Sequence, residues 1–316
     1  MIVLRYLLHR LLLAVATMFC VLAILFCVDY VLPGDPTAVA LGPLATPAMK
    51  AQITALMGLD QPVTFQFLHF LQHVLTGDLG RDVFADRPVA VIIGEALPST
   101  IALTVFGLGW AVLLGLPLGC LSAVYRDSWF DRIGGTLSIA FVAIPSFVVA
   151  LYALLLFAET LNWLPAIGAG APGDPIDQLR HLVLPSLAIG VGWVGYLGRF
   201  VRSSMLEVLA ENHVRTARAY GVPERRVIFR YALRLAVQPT VALLGISMGQ
   251  LLSGAVFAEI VFARPGVGKL VYDAVITRNY PVVNGTVLVT TALLISCTLT
   301  ADVIATWLDP RVRVEG

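Results

Sequence analysis

Two groups of residues in this chain of 316 have types and spacings that can act on another molecule, and neither does covalent chemistry. The first lies in 203–236, SSMLEVLAENHVRTARAYGVPERRVIFRYALRLA. Leu206 to Tyr220 is helix-forming, and Gly221 ends the helix because glycine readily takes the left-handed conformation of a C-cap. Pro223 starts a second helix, with Glu224 placed favourably at the positive end of its dipole. The pattern predicts a helix-turn-helix hairpin. Thr216, Ala217 and Ala219 give it a small-residue face that lets another protein's backbone come close. Arg215, Arg218, Arg225 and Arg226 around that face can pair with acidic groups. A basic loop that only sets topology explains the arginines but not the Gly-Pro hinge or the small face. The second group is Ser247, Gln250 and Gly254, which share one helical face at i, i+3 and i+7. These residues can line a polar pathway, and interhelical hydrogen bonding accounts for them equally well.

Other patterns fail on context. Gly190-Val191-Gly192-Trp193-Val194-Gly195 spells GxGxxG but lies in an apolar run, with no strand before it and no βαβ unit around it. Gly268-Lys269 resembles the end of a phosphate loop, yet that loop needs Gly at 263 and Ser or Thr at 270, where the chain has Ala263 and Leu270. No ATP-binding motif, nucleophile elbow or HExxH helix is found, so the chain is not read as an enzyme and no cofactor is assigned to it. Cys20, Cys27, Cys120 and Cys297 all fall in apolar runs, which suits small buried residues rather than metal ligands or a disulfide framework. No metal site follows, and a net charge of +1 indicates no nucleic-acid partner.

The elements that must carry these residues are membrane helices. The chain is 58% hydrophobic and only 13% charged, about half the charge of an ordinary soluble domain. Uncharged runs of roughly 20 residues match the hydrocarbon thickness of a bilayer at 1.5 Å per residue. Six spans follow, at 11–31, 99–124, 134–158, 182–201, 237–262 and 284–308. The first resembles a signal peptide but lacks a small-x-small cleavage site, so it is read as a retained anchor. With the N-terminus inside, 14 of the 21 Lys and Arg residues fall in inside segments, which puts both termini in the cytoplasm. Asp29, Glu259 and Asp302 sit towards span ends, and no ionisable residue lies near the middle of a span. Ion-coupled carriers generally need such a group, so the energy for any transport is expected from outside the membrane. Prolines interrupt or start spans at Pro117, Pro145, Pro185 and Pro239, while Gly115/Gly119 and Gly245/Gly249 allow close helix approach. In the long first outside segment, Thr46-Pro47 and Gln61-Pro62 each mark a helix start, separated by Gly58. The second of these helices is amphipathic through Val63, Phe67, Phe70, Leu71 and Val74, and GDLG at 77–80 ends it. Three regions result: 1–98 with the anchor and outside loop, 99–308 as a five-span core carrying the 203–236 hairpin, and a 309–316 tail.

The stretch RTARAYGVPERRV followed by RYALRLAVQP resembles the coupling motif of ABC-importer permeases, in the form used by the peptide and nickel branch. That motif runs Glu-Ala-Ala, three residues, Gly, nine residues, then Ile-x-Leu-Pro. Laid on Gly221, it falls on Arg215, Thr216, Ala217, Tyr231, Leu233 and Arg234, so its Glu, first Ala, Ile and Pro are replaced; Pro239 lies five residues further along. GLDQPVTFQFLHFLQHVLTGDLG (58–80) and EIVFARPGVGKLVYDAVITRNYPVVNG (259–285) resemble signatures of the B-type permease of dipeptide and oligopeptide importers. The resemblance implies an all-α, type I importer permease bundle. It also implies a C-type permease partner, a pair of cytoplasmic ATPases that hold ATP and Mg, and an extracytoplasmic binding protein. Peptide, nickel-chelate, glutathione and antimicrobial-peptide systems share this architecture, and no residue here separates them. Two readings of other classes stand beside it. A stand-alone channel or secondary carrier leaves the hairpin without a role, and a non-transporting scaffold leaves the polar face of the fifth span unexplained.

Overall fold

The computed structural model describes residues 2–31, 46 and 61–308, and their regular structure is helical throughout. The helices are α1 (Ile2–Val31), α2 (Val63–Leu75), α3 (Val89–Trp110), α4 (Leu116–Val124), α5 (Trp129–Ala143), α6 (Ser146–Ala153) and α7 (Pro175–Leu209). They continue as α8 (Asn212–Ala219), α9 (Glu224–Arg226), α10 (Leu233–Ala236), α11 (Gln238–Val261), α12 (Val267–Ile276) and α13 (Tyr280–Leu308). Wider π-helical turns follow α3 at Ala111–Gly115, α6 at Leu154–Thr160 and α9 at Val227–Ala232. Among the described residues, five helices are long and apolar enough to cross a bilayer, and one bent pair makes a sixth candidate. The helix expected from Pro47 to Gly58 and the 309–316 tail lie outside the described residues.

The chain forms two compact units. Among the described residues, one comprises essentially those within 3–96 and 270–293, the other those within 97–269 and 294–308. In the first, α2 lies against α1 through Phe67, whose ring meets Phe19 at 5.9 Å and Phe26 at 5.2 Å. The amphipathic pattern of α2 is thus used for packing, while Phe65 and Leu68 on its other side stay exposed. The helix ends where Gly77 takes φ +80°, as GDLG predicted. Asp78 then closes the turn: its Oδ1 accepts from the Gly80 amide at 3.0 Å and its Oδ2 lies 3.2 Å from His73 Nδ1. The Gly80 amide is the main reason that the Asp78 carboxyl sits below its ordinary pKa; burial opposes it, and His73 and Arg81 add to the lowering. Val89, Ile93, Ala274 and Val282 form the buried core of this unit.

The second unit is organised around α7, a 35-residue helix that extends the expected 182–201 span at both ends. Its glycines do not form a nucleotide loop. Gly190 faces the Gly107 carbonyl, where a Cβ would come within 2.6 Å, and Gly195 and Gly198 press on Ser138 and on Gly115 and Gly119. They are contact surfaces for neighbouring helices. The expected 134–158 span is two helices, α5 and α6, that meet at 99°. Pro145 sits at the corner. It cannot donate to the helix, and it holds Ile144 extended at ψ 122°.

Candidate functional site

The hairpin forms, with two differences from the sequence reading. Its first helix is not continuous from Leu206 to Tyr220. α7 runs to Leu209, Glu211 is extended at ψ 155°, and α8 begins afresh at Asn212. The change of direction buries Val214, which with Ala217 and Val227 makes a small core flanked by Val208, Leu209 and Val222. The second helix is short: Glu224–Arg226 gives way to the π-helical turn Val227–Ala232.

Between them is a tight cap. Gly221 takes φ +74°, its amide donates to Arg218 O at 2.9 Å, and the Val222 amide donates to Ala217 O at 3.1 Å. This pair of bonds, with Val222 packed back on the core, is the Schellman arrangement that only a left-handed residue permits cheaply. Arg218 closes the turn from outside through two bonds to Glu224, Nη2 to Oε1 at 2.7 Å and Nε to Oε2 at 3.2 Å. Glu224 therefore does more than face a helix end.

The proposed docking face divides. Arg215, Thr216, Arg218, Ala219, Pro223, Glu224 and Arg225 are exposed, but Ala217 is only 7% exposed and faces the valine core. It shares that side with Val214 at i−3, which is why helical spacing turns it inward. In its place the structure brings out two aromatics that sequence reasoning passed over. Tyr220 is 84% exposed beside the turn, and Phe229 stands with Pro223, Arg225 and Arg226 around a shallow groove. The available signal was an aromatic on each side of the Gly-Pro hinge, in a segment that is otherwise basic. Exposed aromatic and arginine side chains together are the composition of interface anchors.

Ser247, Gln250 and Gly254 lie along one wall of a cavity of about 470 Å³. Ile144 and Ser146, at the Pro145 corner, form a second wall, and Gly192, Trp193 and Tyr196 of α7 a third. The three predicted residues differ in what they offer. The Ser247 hydroxyl is spent on Leu243 O at 2.7 Å, and the residue is buried. Gln250 is exposed, and a Cβ added at Gly254 would meet nothing within 4 Å. Trp193 and Tyr196 meet edge to face at 5.4 Å. Every polar group on the lining is neutral, so the wall offers hydrogen bonds and ring faces but no fixed charge.

A third arrangement was not foreseen. Glu259 is fully buried near the end of α11. Its Oε1 accepts from Thr100 Oγ1 at 2.5 Å, and its Oε2 from the amides of Gly268 at 2.8 Å and Lys269 at 3.1 Å, in the first turn of α12. Thr100 Oγ1 in turn accepts from the Val267 amide at 2.8 Å. A Cβ at Gly266 would strike the carboxylate, and one at Gly268 would come within 2.6 Å of Val256 Cα. The carboxylate satisfies amides that every helix start leaves over, and Arg264, itself buried, supplies opposite charge nearby.

Comparison with known proteins agrees with this architecture. The family described as binding-protein-dependent transport system inner membrane component matches residues 115–314, and the N-terminal part of such components matches 3–104. The glutathione transport system permease protein GsiC of Salmonella typhimurium (strain LT2) is 38% identical over 312 residues, 99% of this chain and all of that one. Its namesake in Escherichia coli O6:H1 is 36% identical over the same span. Among solved structures, an inward-facing MetNI methionine ABC transporter aligns with TM-score 0.59 and 19% identity, over 69% of this chain and 96% of that one. An amino acid ABC transporter with histidines aligns with TM-score 0.51 and 14% identity, over 70% of this chain and 94% of that one.

Proposed function

Because the chain belongs to the binding-protein-dependent transport system inner membrane components, we propose that it forms one half of an importer's path for glutathione or other short peptides. It sits in the bacterial inner membrane with both termini in the cytoplasm, the orientation favoured by its arginine distribution. It pairs with a second, C-type permease. Two cytoplasmic ATPases bind ATP and Mg, and an extracytoplasmic binding protein delivers the substrate.

The observation that carries this reading is the continuity of α7. The helix walls the cavity at Gly192, Trp193 and Tyr196, and at its other end leads directly into the hairpin with its exposed Tyr220, Arg225 and Phe229. ATP binding closes the ATPases on each other. Their movement enters the permease through Arg215, Thr216, Arg218, Ala219, the Gly221 turn, Pro223, Glu224 and Arg225, and α7 passes it to the cavity wall. Ala217 holds the hairpin together from within. ATP contributes through its differential affinity for the closed ATPases. Ser247, Gln250 and Gly254 border the path, and its neutral lining suits amide groups of a peptide held weakly enough to leave.

A tagged chain drawn from its native membrane in detergent should bring a second permease and one or two ATPases, identified by mass spectrometry. Vesicles containing the complex and its binding protein should take up labelled glutathione or a dipeptide only with ATP. A chain recovered alone, or only with copies of itself, would overturn the importer reading and favour a self-sufficient channel or carrier.

A further inference from the structure

Near the hairpin end of α7, Arg202 grips Asp131, in the first turn of α5, with a two-pronged contact. Nε meets Oδ1 at 2.6 Å and Nη2 meets Oδ2 at 2.7 Å. Oδ2 also accepts the Asp127 amide at 3.0 Å, so both oxygens of a nearly buried carboxylate are engaged. The ion pairs Arg81–Asp86 and Arg218–Glu224 join residues within six positions; this one spans 71. A planar fork on a carboxylate fixes direction as well as distance, which a single contact does not.

The rest of the α7 packing gives this a particular consequence. Side chains that interdigitate lock the register of packed helices. That holds where α7 meets the α3–α4 stretch, since Ile189 seats at Gly107, Val201 at Gly119 and Leu118 at Gly198, whereas α7 meets α5 where Gly192 and Gly195 face the backbone of Phe141 and Ser138. The α5 contacts, made by glycine and backbone, are close but smooth, with little to resist sliding of α5 along α7. The fork lies about 9 Å along the helix from Tyr196 on the cavity wall and about 12 Å from Ala210, where α7 ends, at 1.5 Å per residue. Beyond Asp131, α5 leads to Ile144 and the Pro145 corner on the cavity's second wall.

We propose that the Arg202–Asp131 fork pins α7 to α5 so that a displacement of the hairpin moves both cavity walls as one body. Arg202 and Asp131 are positioning residues in nucleotide-driven opening. This rests on the reading of the hairpin as the ATPase contact.

The test needs no knowledge of the substrate. In a background with the native cysteines replaced by serine, Gln250→Cys reports cavity access by its rate of thiol labelling. Native membrane vesicles holding the complete complex are labelled with and without a non-hydrolysable ATP analogue. With the fork intact, nucleotide changes the labelling rate. Arg202→Gln and Asp131→Asn should each abolish that change while the complex still binds nucleotide, a loss of coupling of at least about fivefold. Arg202→Lys, which keeps the charge without the fork, should retain part of it. The double variant should melt no earlier than Arg202→Gln alone, as for two ends of one interaction. If the single variants melt earlier but keep the full nucleotide effect, the fork is a structural staple and the proposal is overturned. Failure of the underlying reading looks different: nucleotide then changes nothing even with the fork intact, and the proposal falls with it.

Discussion

Replacing Ala217 by Glu separates two views of the hairpin, because the outcome depends on which way residue 217 faces. Ala217 packs with Val214 and Val227 in a small core between the hairpin and the end of α7. Burying two valines contributes about 3–6 kcal/mol. An ionised carboxylate forced into that core costs several kcal/mol, enough to cancel the contribution. Gly221→Ala is the opposite case. Nothing lies within 4 Å of the added Cβ, so the cost is only that of φ +74°, about 1–2 kcal/mol. Unwinding the turn would forfeit its two cap hydrogen bonds, each worth about 0.5–1.5 kcal/mol, together with the Val222 contact. The turn therefore holds. Hydrogen exchange of peptides covering 212–227, in nanodiscs, reads both changes. Ala217→Glu should lose protection altogether, while Gly221→Ala should exchange roughly 5- to 30-fold faster and keep its pattern. Thr216→Glu, on the exposed side, should leave exchange unchanged and weaken only ATPase recovery. Native protection in Ala217→Glu would refute the inward placement, and complete loss in Gly221→Ala would refute the account of the turn.

Gly254→Phe should leave melting temperature near that of the parent while cutting ATP-driven uptake severely, because the site is open space that a ring would fill; unimpaired uptake would place the path elsewhere. Glu259→Gln should destabilise by about 1–2 kcal/mol, and Glu259→Ala, which orphans three buried donors, by about 3 kcal/mol or more. Thermal denaturation in detergent checks the order, and equal losses would contradict the hydrogen-bond account. Asp78 has its pKa lowered in the folded chain, so its contribution to the 77–80 turn is present above the unfolded carboxyl pKa and lost as pH falls through the folded value. Protection of the Gly80 amide, measured against a matched unstructured peptide, should be flat from pH 8 to about 5 and decline only below about 4; Asp78→Asn should remove that dependence.

The spans were legible because apolar runs are a property of composition, and a bilayer imposes them along the chain. The turn at Gly221 was legible for a similarly local reason: glycine followed two positions later by proline permits few backbone paths. What escaped depends on direction. Pro145 marked an interruption, but nothing in neighbouring residues fixes a 99° corner. Ala217 was expected outside because small residues suit an approaching partner. Its burial follows from Val214 and Val227, and Val227 reaches it only after the chain has turned. Glu259 read as an ionisable group at a span end, since its donors come from Thr100, more than 150 positions away, and from amides that carry no letter in the sequence. Asp131 and Arg202 lie just outside the expected spans, 71 positions apart, so no local pattern joins them.

The Gly-Lys letters at 268 and 269 were set aside because the rest of a phosphate loop is missing, and the buried carboxylate shows what they are for. Backbone amides converging on a negative charge form an anion nest wherever they occur. In a nucleotide-binding protein the guest diffuses in. Here it is tethered nine residues upstream of Gly268, held at a local concentration that no washing can lower, and Gly266 and Gly268 are the imprint it leaves in the chain. Part of a nucleotide signature in a sequence can therefore mark amides that already have a carboxylate of the same chain as their acceptor. Removing the guest and leaving the host, as Glu259→Ala does, opens a vacancy of carboxylate size that formate in the buffer is the right shape and charge to fill.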